Sequence, residues 1–166
     1  LTPAQEQAEF VRMLAERMAR DSLGKNEVDL VCAAPERRDA GLARPLLASG
    51  AARPGQVAHS AVLACLGNPE AHHRTLRALT SSRDEDVAIA QAYLRQRPLA
   101  DVGELRAVTS SIARMTAGDA QVRALDTLAR QRLVDPQSLR EIAGLFPQAR
   151  SLEAQRAIAG ILIRSD

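Results

Sequence analysis

"LRAVTSSIARMTAGDAQVRALDTLARQ", residues 105–131, divides into two apolar-periodic stretches with a break at Gly118. Counted from Val122, offsets 0, 3, 6 and 7 of the second stretch are Val122, Leu125, Leu128 and Ala129, which share one face of a 3.6-residue period. Offsets 1, 4 and 8 are Arg123, Asp126 and Arg130, which share another. The stretch predicts a helical hairpin whose second helix has a buried side and a charged side. The same count from Val87 places Val87, Ala90, Tyr93 and Leu94 inward and Ala88, Gln91 and Arg95 outward.

The hairpin recurs. Proline at the first position of a helix, behind a residue that caps with its side chain, is a helix-start signal, because the missing N–H has no intrahelical partner there in any case. Thr2-Pro3, Asn68-Pro69 and Asp135-Pro136 all carry it, at intervals of 66 and 67 residues, with Pro35 between the first two. Cys32 and Cys65 stand 33 apart, and "LRAL" (76), "LRAV" (105) and "LREI" (139) open the same kind of first helix. A period near 33 follows, and about five helix pairs account for all 166 residues. The expected helices are 3–21, 26–34, 36–48, 54–66, 69–80, 84–96, 101–114, 118–132, 136–146 and 151–164. Ser82–Glu85 and Asp101–Glu104 match capping boxes. One domain, 1–166, is expected, with no room for a second.

Composition agrees with helices. Hydrophobic residues make up 46% of the chain and aromatic ones 2%, with no Trp, so the core must be built from Ala, Leu, Val and Ile, where sheet-rich folds carry more Tyr, Phe and Thr. Net charge is +2 with the signs mixed along the chain, so nucleic acid is not expected as a partner. Lys25 is the sole lysine among 22 cationic residues, a skew that a GC-rich genome explains as readily as a ligand. There is no run of 18 apolar residues and no signal-peptide pattern, so no membrane segment is expected. Cys32 and Cys65 sit in apolar helical contexts, "DLVCAA" and "AVLACL", and are expected as reduced packing residues; a cytoplasmic setting is mildly favoured. The chain opens on Leu1, as a piece excised from a longer protein would.

With the repeat in view, the residues resemble the HEAT family. "LRAVTSSIARMTAGDAQVRALDTLARQ" is similar to a HEAT unit across both helices, with Asp119, Val122 and Arg123 at the motif positions. "ARPLLASGAARPGQVAHSAVLACL" (43–66) matches more loosely. The last unit keeps Arg156 but has Gln155 in place of Val, "DEDVAIAQAYL" (84–94) has Ala88 in place of Arg, and residues 3–34 depart most. The resemblance implies an all-α fold, a right-handed α-α superhelix (α-solenoid, armadillo-like) of about five HEAT-like helix pairs, its second helices lining the concave side. Tetratricopeptide repeats share the period but would need a Trp/Leu/Gly/Tyr pattern that is missing.

Candidate chemistry is sparse. His72 and His73, seven residues after Cys65, invite a metal reading, but neighbouring helical residues point about 100° apart and paired ligands on one helix need a spacing of three or four. A surface or inter-repeat histidine pair is expected, and no metal or other cofactor. The acidic triplet Asp84, Glu85 and Asp86 reads as helix N-terminal charge complementing the macrodipole. Arg123 and Arg156 at the Val-Arg position resemble a structural ladder bonded to turn aspartates such as Asp119, or else present a guanidinium to an acidic partner. Asp126 is spaced to pair with Arg123 and Arg130.

The expected function is therefore non-enzymatic: an interaction or scaffold module whose partner is another protein, offered as a helix or peptide. Gln91, Arg95, Arg123, Asp126 and Arg130 are the expected partner-binding residues, and no catalytic residue is expected. Two alternatives stand beside this one. HEAT-like enzymes exist, resembling DNA glycosylases or bilin lyases, though this chain lacks the aromatic residues and basic channel of the first and any convergent nucleophile for the second. A purely structural spacer is the other.

Overall fold

The computed structural model describes residues 2–33, Leu46 and 56–165. Among these residues the regular structure is entirely helical. The α-helices are α1 (Pro3–Ala19), α2 (Lys25–Ala33), α3 (Val57–Cys65), α4 (Pro69–Arg77), α5 (Asp84–Gln96), α6 (Val102–Ala113), α7 (Asp119–Arg130), α8 (Pro136–Ala143) and α9 (Leu152–Arg164). Short 3₁₀ turns follow α4 at Ala78–Thr80 and α8 at Phe146–Gln148. The helix expected at 36–48 lies outside the described residues apart from Leu46, which is helical and buried.

Local chemistry explains most boundaries. Thr2 accepts from the Gln5 N–H while the Gln5 side chain accepts from the Thr2 N–H, a complete capping box ahead of Pro3. α1 stops short of residue 21 because Asp21 takes the left-handed conformation, φ 54°. "GNP" at 67–69 ends one helix and begins the next. Gly67 (φ 102°) donates to Ala64 O and Asn68 donates to Leu63 O, each at 3.0 Å, which closes α3 in a Schellman motif. Asn68 Oδ1 then accepts from the Ala71 N–H at 2.9 Å and caps α4. Asp101 and Asp135 cap α6 and α8 in the same manner. Ahead of α5, where Ser82–Glu85 was expected as a capping box, the Ser81 hydroxyl accepts from the Arg83 N–H and donates to Asp86.

The described structure divides into two compact units, 1–78 with 88–97, and 79–87 with 98–166. In the first, α2 packs on α3 and α3 on α4. Every residue from Ala58 to Cys65 is buried, as suits a helix with apolar residues on all sides. Val28, Val31 and Leu14 pack this core, and Tyr93, also fully buried, is its largest side chain. In the second unit α6 packs on α8 and α7 on α9, each helix against the one two positions along, around Ile112, Leu125, Leu128, Ile142, Ile158 and Ile161.

Four bonds between elements span 31 to 35 residues. In the first unit Arg97 donates to Ala64 O at 2.8 Å, across 33 residues. In the second, Leu99 N–H donates to Gln131 Oε1 across 32 residues, Ser110 to Glu141 across 31, and Arg164 to Ala129 O across 35. Each joins equivalent or nearly equivalent places in successive hairpins.

One expectation is overturned. Cys32 and Cys65 are not reduced packing residues but a disulfide, both fully buried, with Cα atoms 5.3 Å apart. The cause is the repeat itself. Residues 33 apart occupy the same place on helices that pack side by side, here α2 and α3, and this brings the Cα atoms within the span a disulfide requires. Apolar surroundings, which pointed to plain packing, are compatible with either state.

Because the bond closes a loop of 33 residues, its removal relieves a constraint on the unfolded chain worth roughly 3–4 kcal/mol. The double variant Cys32→Ala/Cys65→Ala should unfold at markedly lower urea, followed by circular dichroism, and the wild-type chain denatured without reductant should show no titratable thiol.

Candidate functional site

The residues expected to meet a partner lie on α5 and α7. In the first unit Gln91 is half-buried and Arg95 exposed; in the second Arg123 is half-buried and Asp126 and Arg130 are exposed. The inward set of α5, Val87, Ala90, Tyr93 and Leu94, is buried; of the α7 set Leu125 and Leu128 are buried, whereas Val122 and Ala129 are half-buried.

Arg123 is engaged. Its Nε lies 2.8 Å from Asp84 Oδ1 in an ion pair that joins the second helix of one hairpin to the acidic first turn of α5. Asp84 was expected as a capping charge and Asp119 as the arginine's partner; the observed pair gives the acidic triplet a second role. Glu85 lies 3.7 Å from Arg83, and Asp86 accepts from Ser81, so each acid of the triplet has its own protein partner. Among the described residues no ion pair joins Asp126 to Arg123 or Arg130, although their spacing permits one. Asp126 and Arg130 remain solvated side chains.

His72 and His73 occupy the first and second turns of α4. The His72 ring hydrogen-bonds through Nδ1 to the hydroxyl of Tyr93 and stands tilted to the ring of His73, centroids 5.6 Å apart. The partner of His72 is thus a buried phenol, whose hydroxyl needs a hydrogen bond once the ring is inside. Among the described residues no group of three or more His, Cys, Asp or Glu is placed to hold a metal ion.

A two-bonded ion pair that the sequence did not single out lies in the second unit. Arg106, on α6, forms two bonds to Asp135, Nε to Oδ2 at 3.0 Å and Nη2 to Oδ1 at 2.9 Å. Asp135 Oδ2 also accepts from the Ser138 backbone N–H and hydroxyl, at 3.0 and 2.8 Å. The Arg106 guanidinium holds the Asp135 carboxyl well below the usual carboxylate range, with the two Ser138 donors assisting and burial opposing. The same pairing raises Arg106. Four bonds from the fold meet this carboxylate, three at Oδ2 and one at Oδ1, and make it a clasp between α6 and the start of α8. Asp135-Pro136 was legible as a helix start; the arginine 29 residues upstream was not.

A cleft of about 210 Å³ opens elsewhere in the second unit, where the turn between α6 and α7 faces the turn before α9. Ala113, Met115, Leu145, Ala154 and Ile158 form apolar walls, and Gln121, Arg150 and Ser151 supply polar groups. Gln121 is 8% exposed. Its Nε2 donates to Ile112 O at 3.0 Å, which also accepts from the Met115 N–H, and to Met115 O at 3.3 Å, just beyond the end of α6. Nothing in the spacing of the sequence marked this residue.

Two outcomes follow. Asp135 has a depressed folded pKa, so the stability it contributes is full above the unfolded carboxylate value of about 4 and is lost as pH falls toward the folded value. Asp135→Asn, which keeps the cap, should melt lower at pH 7 and show a shallower loss on acidification than wild type, read by thermal denaturation at stepped pH. Adding or chelating Zn²⁺ should leave the melting temperature unchanged, since a metal bound only by the folded chain raises it by mass action.

Compared with known proteins, the chain matches no family model, and neither a curated protein nor a solved structure is similar to it.

Proposed function

We propose that this chain is a non-enzymatic interaction module of HEAT-like helical hairpins stacked as an α-solenoid, with the exposed stripe of its second helices as the surface met by another protein. The observation that carries the reading is the pair Asp126 and Arg130 on α7. Both are exposed, they lie opposite buried Leu125 and Leu128, and no ion pair among the described residues occupies either. Charged side chains held on a helix and not spent on the fold are suited to fixing the register and orientation of a partner. In the other unit Arg95, exposed near the end of α5, has the equivalent place. Bonds that join hairpins about 33 residues apart support the stacked arrangement.

A non-enzymatic role is favoured by the way the ionisable groups are used. Asp135, whose affinity for protons is depressed, is spent on a clasp, and His72 is spent on Tyr93. No helix among the described residues is long and apolar enough to cross a membrane. The buried Cys32–Cys65 bond supports maturation in an oxidising compartment in place of the cytoplasmic setting expected from sequence.

The test is capture of the physiological partner from native lysate by wild type, Arg95→Glu, Arg130→Glu and the double variant, with melting curves for each. Exposed substitutions of this kind change stability by about 0.5 kcal/mol or less, whereas a like-charge contact in an interface costs several kcal/mol. Loss of capture with unchanged melting is expected. Retained capture by the double variant would reject the stripe as the binding surface.

A further inference from the structure

The cleft in the second unit has properties the fold does not need. Gln121 is held by two backbone carbonyls through its amide nitrogen, and turning the amide over would sacrifice both bonds. The carbonyl end therefore stays where it is, and no described residue donates to Oε1. Around it the walls are apolar, chiefly Met115, Leu145 and Ile158. At the rim stands Arg150, the single ionisable side chain of the lining, with no ion pair among the described residues. Beside it α9 begins, with Ser151 capping the Ala154 N–H and the helix macrodipole adding positive character at its N-terminus. The space beside Gly118 in the lining is open, since a Cβ built there meets nothing within 4 Å.

Size decides what kind of ligand fits. A cavity of roughly 150 Å³ holds one benzene, and sites for drug-sized molecules and cofactors begin at roughly 300 Å³. At about 210 Å³ this cleft accommodates one aromatic or branched aliphatic side chain and little more. The polar groups then select what accompanies it: an N–H to meet the Gln121 carbonyl within the cleft, and a carboxylate to meet Arg150 outside it. A peptide segment carries both groups within two residues.

We propose that the cleft is a docking pocket for an extended segment of a partner protein, which inserts one bulky apolar side chain, donates a backbone N–H to Gln121 Oε1 and places an adjacent acidic residue on Arg150. This rests on the reading of the chain as an interaction module, and names the partner's recognition element, but it is independent of the charged stripe on α7.

The probes are three capped peptides, acetyl-Gly-Phe-Asp-amide, acetyl-Gly-Phe-Asn-amide and acetyl-Gly-Ala-Asp-amide, titrated to millimolar concentration into the ¹⁵N-labelled full chain. The Phe-Asp peptide should shift the backbone amides of Gly118, Gln121 and Ala154 in a saturable manner. The Phe-Asn peptide should bind about tenfold more weakly through loss of one charge-assisted contact, and the Ala-Asp peptide should leave those amides unmoved. Ala154→Phe, which fills the cleft, should abolish the shifts, and Arg150→Glu, a change at an exposed position, should erase the preference for Asp over Asn even if the filled variant folds poorly. The proposal is overturned if the Phe-Asp peptide moves none of these amides, if the Ala-Asp peptide moves them equally, or if Arg150→Glu leaves the preference intact. Arg130→Glu should not alter peptide binding; if it abolishes partner capture while the cleft binds no peptide, the interaction module stands and only the pocket falls.

Discussion

Helix ends set the central constraint on this protein. The last carbonyls of every α-helix lack intrahelical donors, and a buried one left unpaired is costly. A chain of short helices has many such ends for its length. Here side chains from the following hairpin reach two of them: Arg164 donates to Ala129 O near the end of α7, and Arg97 gives Ala64 O, near the end of α3, a second donor beside the Gly67 N–H. Cationic donors there also complement the negative end of the helix macrodipole. Gln121 does the same at close range for Met115 O and adds a second donor to Ile112 O. Satisfying one helix with the next makes the hairpins interdependent, and it explains why so many bonds between elements span nearly the same number of residues.

Much of this was legible from residues that act on their immediate neighbours. Asn68-Pro69, Thr2-Pro3 and Asp135-Pro136 announced their helices because a cap and its acceptor lie three residues apart. The inward faces of α5 and α7 were legible because burial follows a 3.6-residue count. What depended on pairing across a period was harder to read. The Arg106–Asp135 clasp joins residues 29 apart, and nothing in the identity of Arg106 distinguishes it from the other arginines. Arg123 was expected beside Asp119 in its own turn, but the aspartate it pairs with is Asp84, at the start of α5. The cleft escaped notice because its walls come from two separate turns, and because Gln121 draws its meaning from carbonyls whose availability depends on where α6 stops.

The disulfide illustrates the same limit more sharply. Equivalent positions in a repeat were read as evidence of equivalent packing, which is true of Cys32 and Cys65. Equivalence also means adjacency when the two helices lie side by side, and adjacency of two thiols is a chemical opportunity that local context does not express. In a repeat protein, any residue type that reacts with itself should be checked at one-period spacing before it is assigned to the core.

The bond has a mechanical corollary as well. A load applied through the two ends of the chain passes from Cys32 to Cys65 across the sulfur bridge, so the backbone between them is removed from the load path. Each residue outside the bridge can lengthen the chain by roughly 3.3–3.6 Å when pulled straight, but those inside contribute nothing until the bond is reduced. The extensibility of the first unit is thereby coupled to its redox state, and a stretched molecule would report reduction as a sudden release of hidden length.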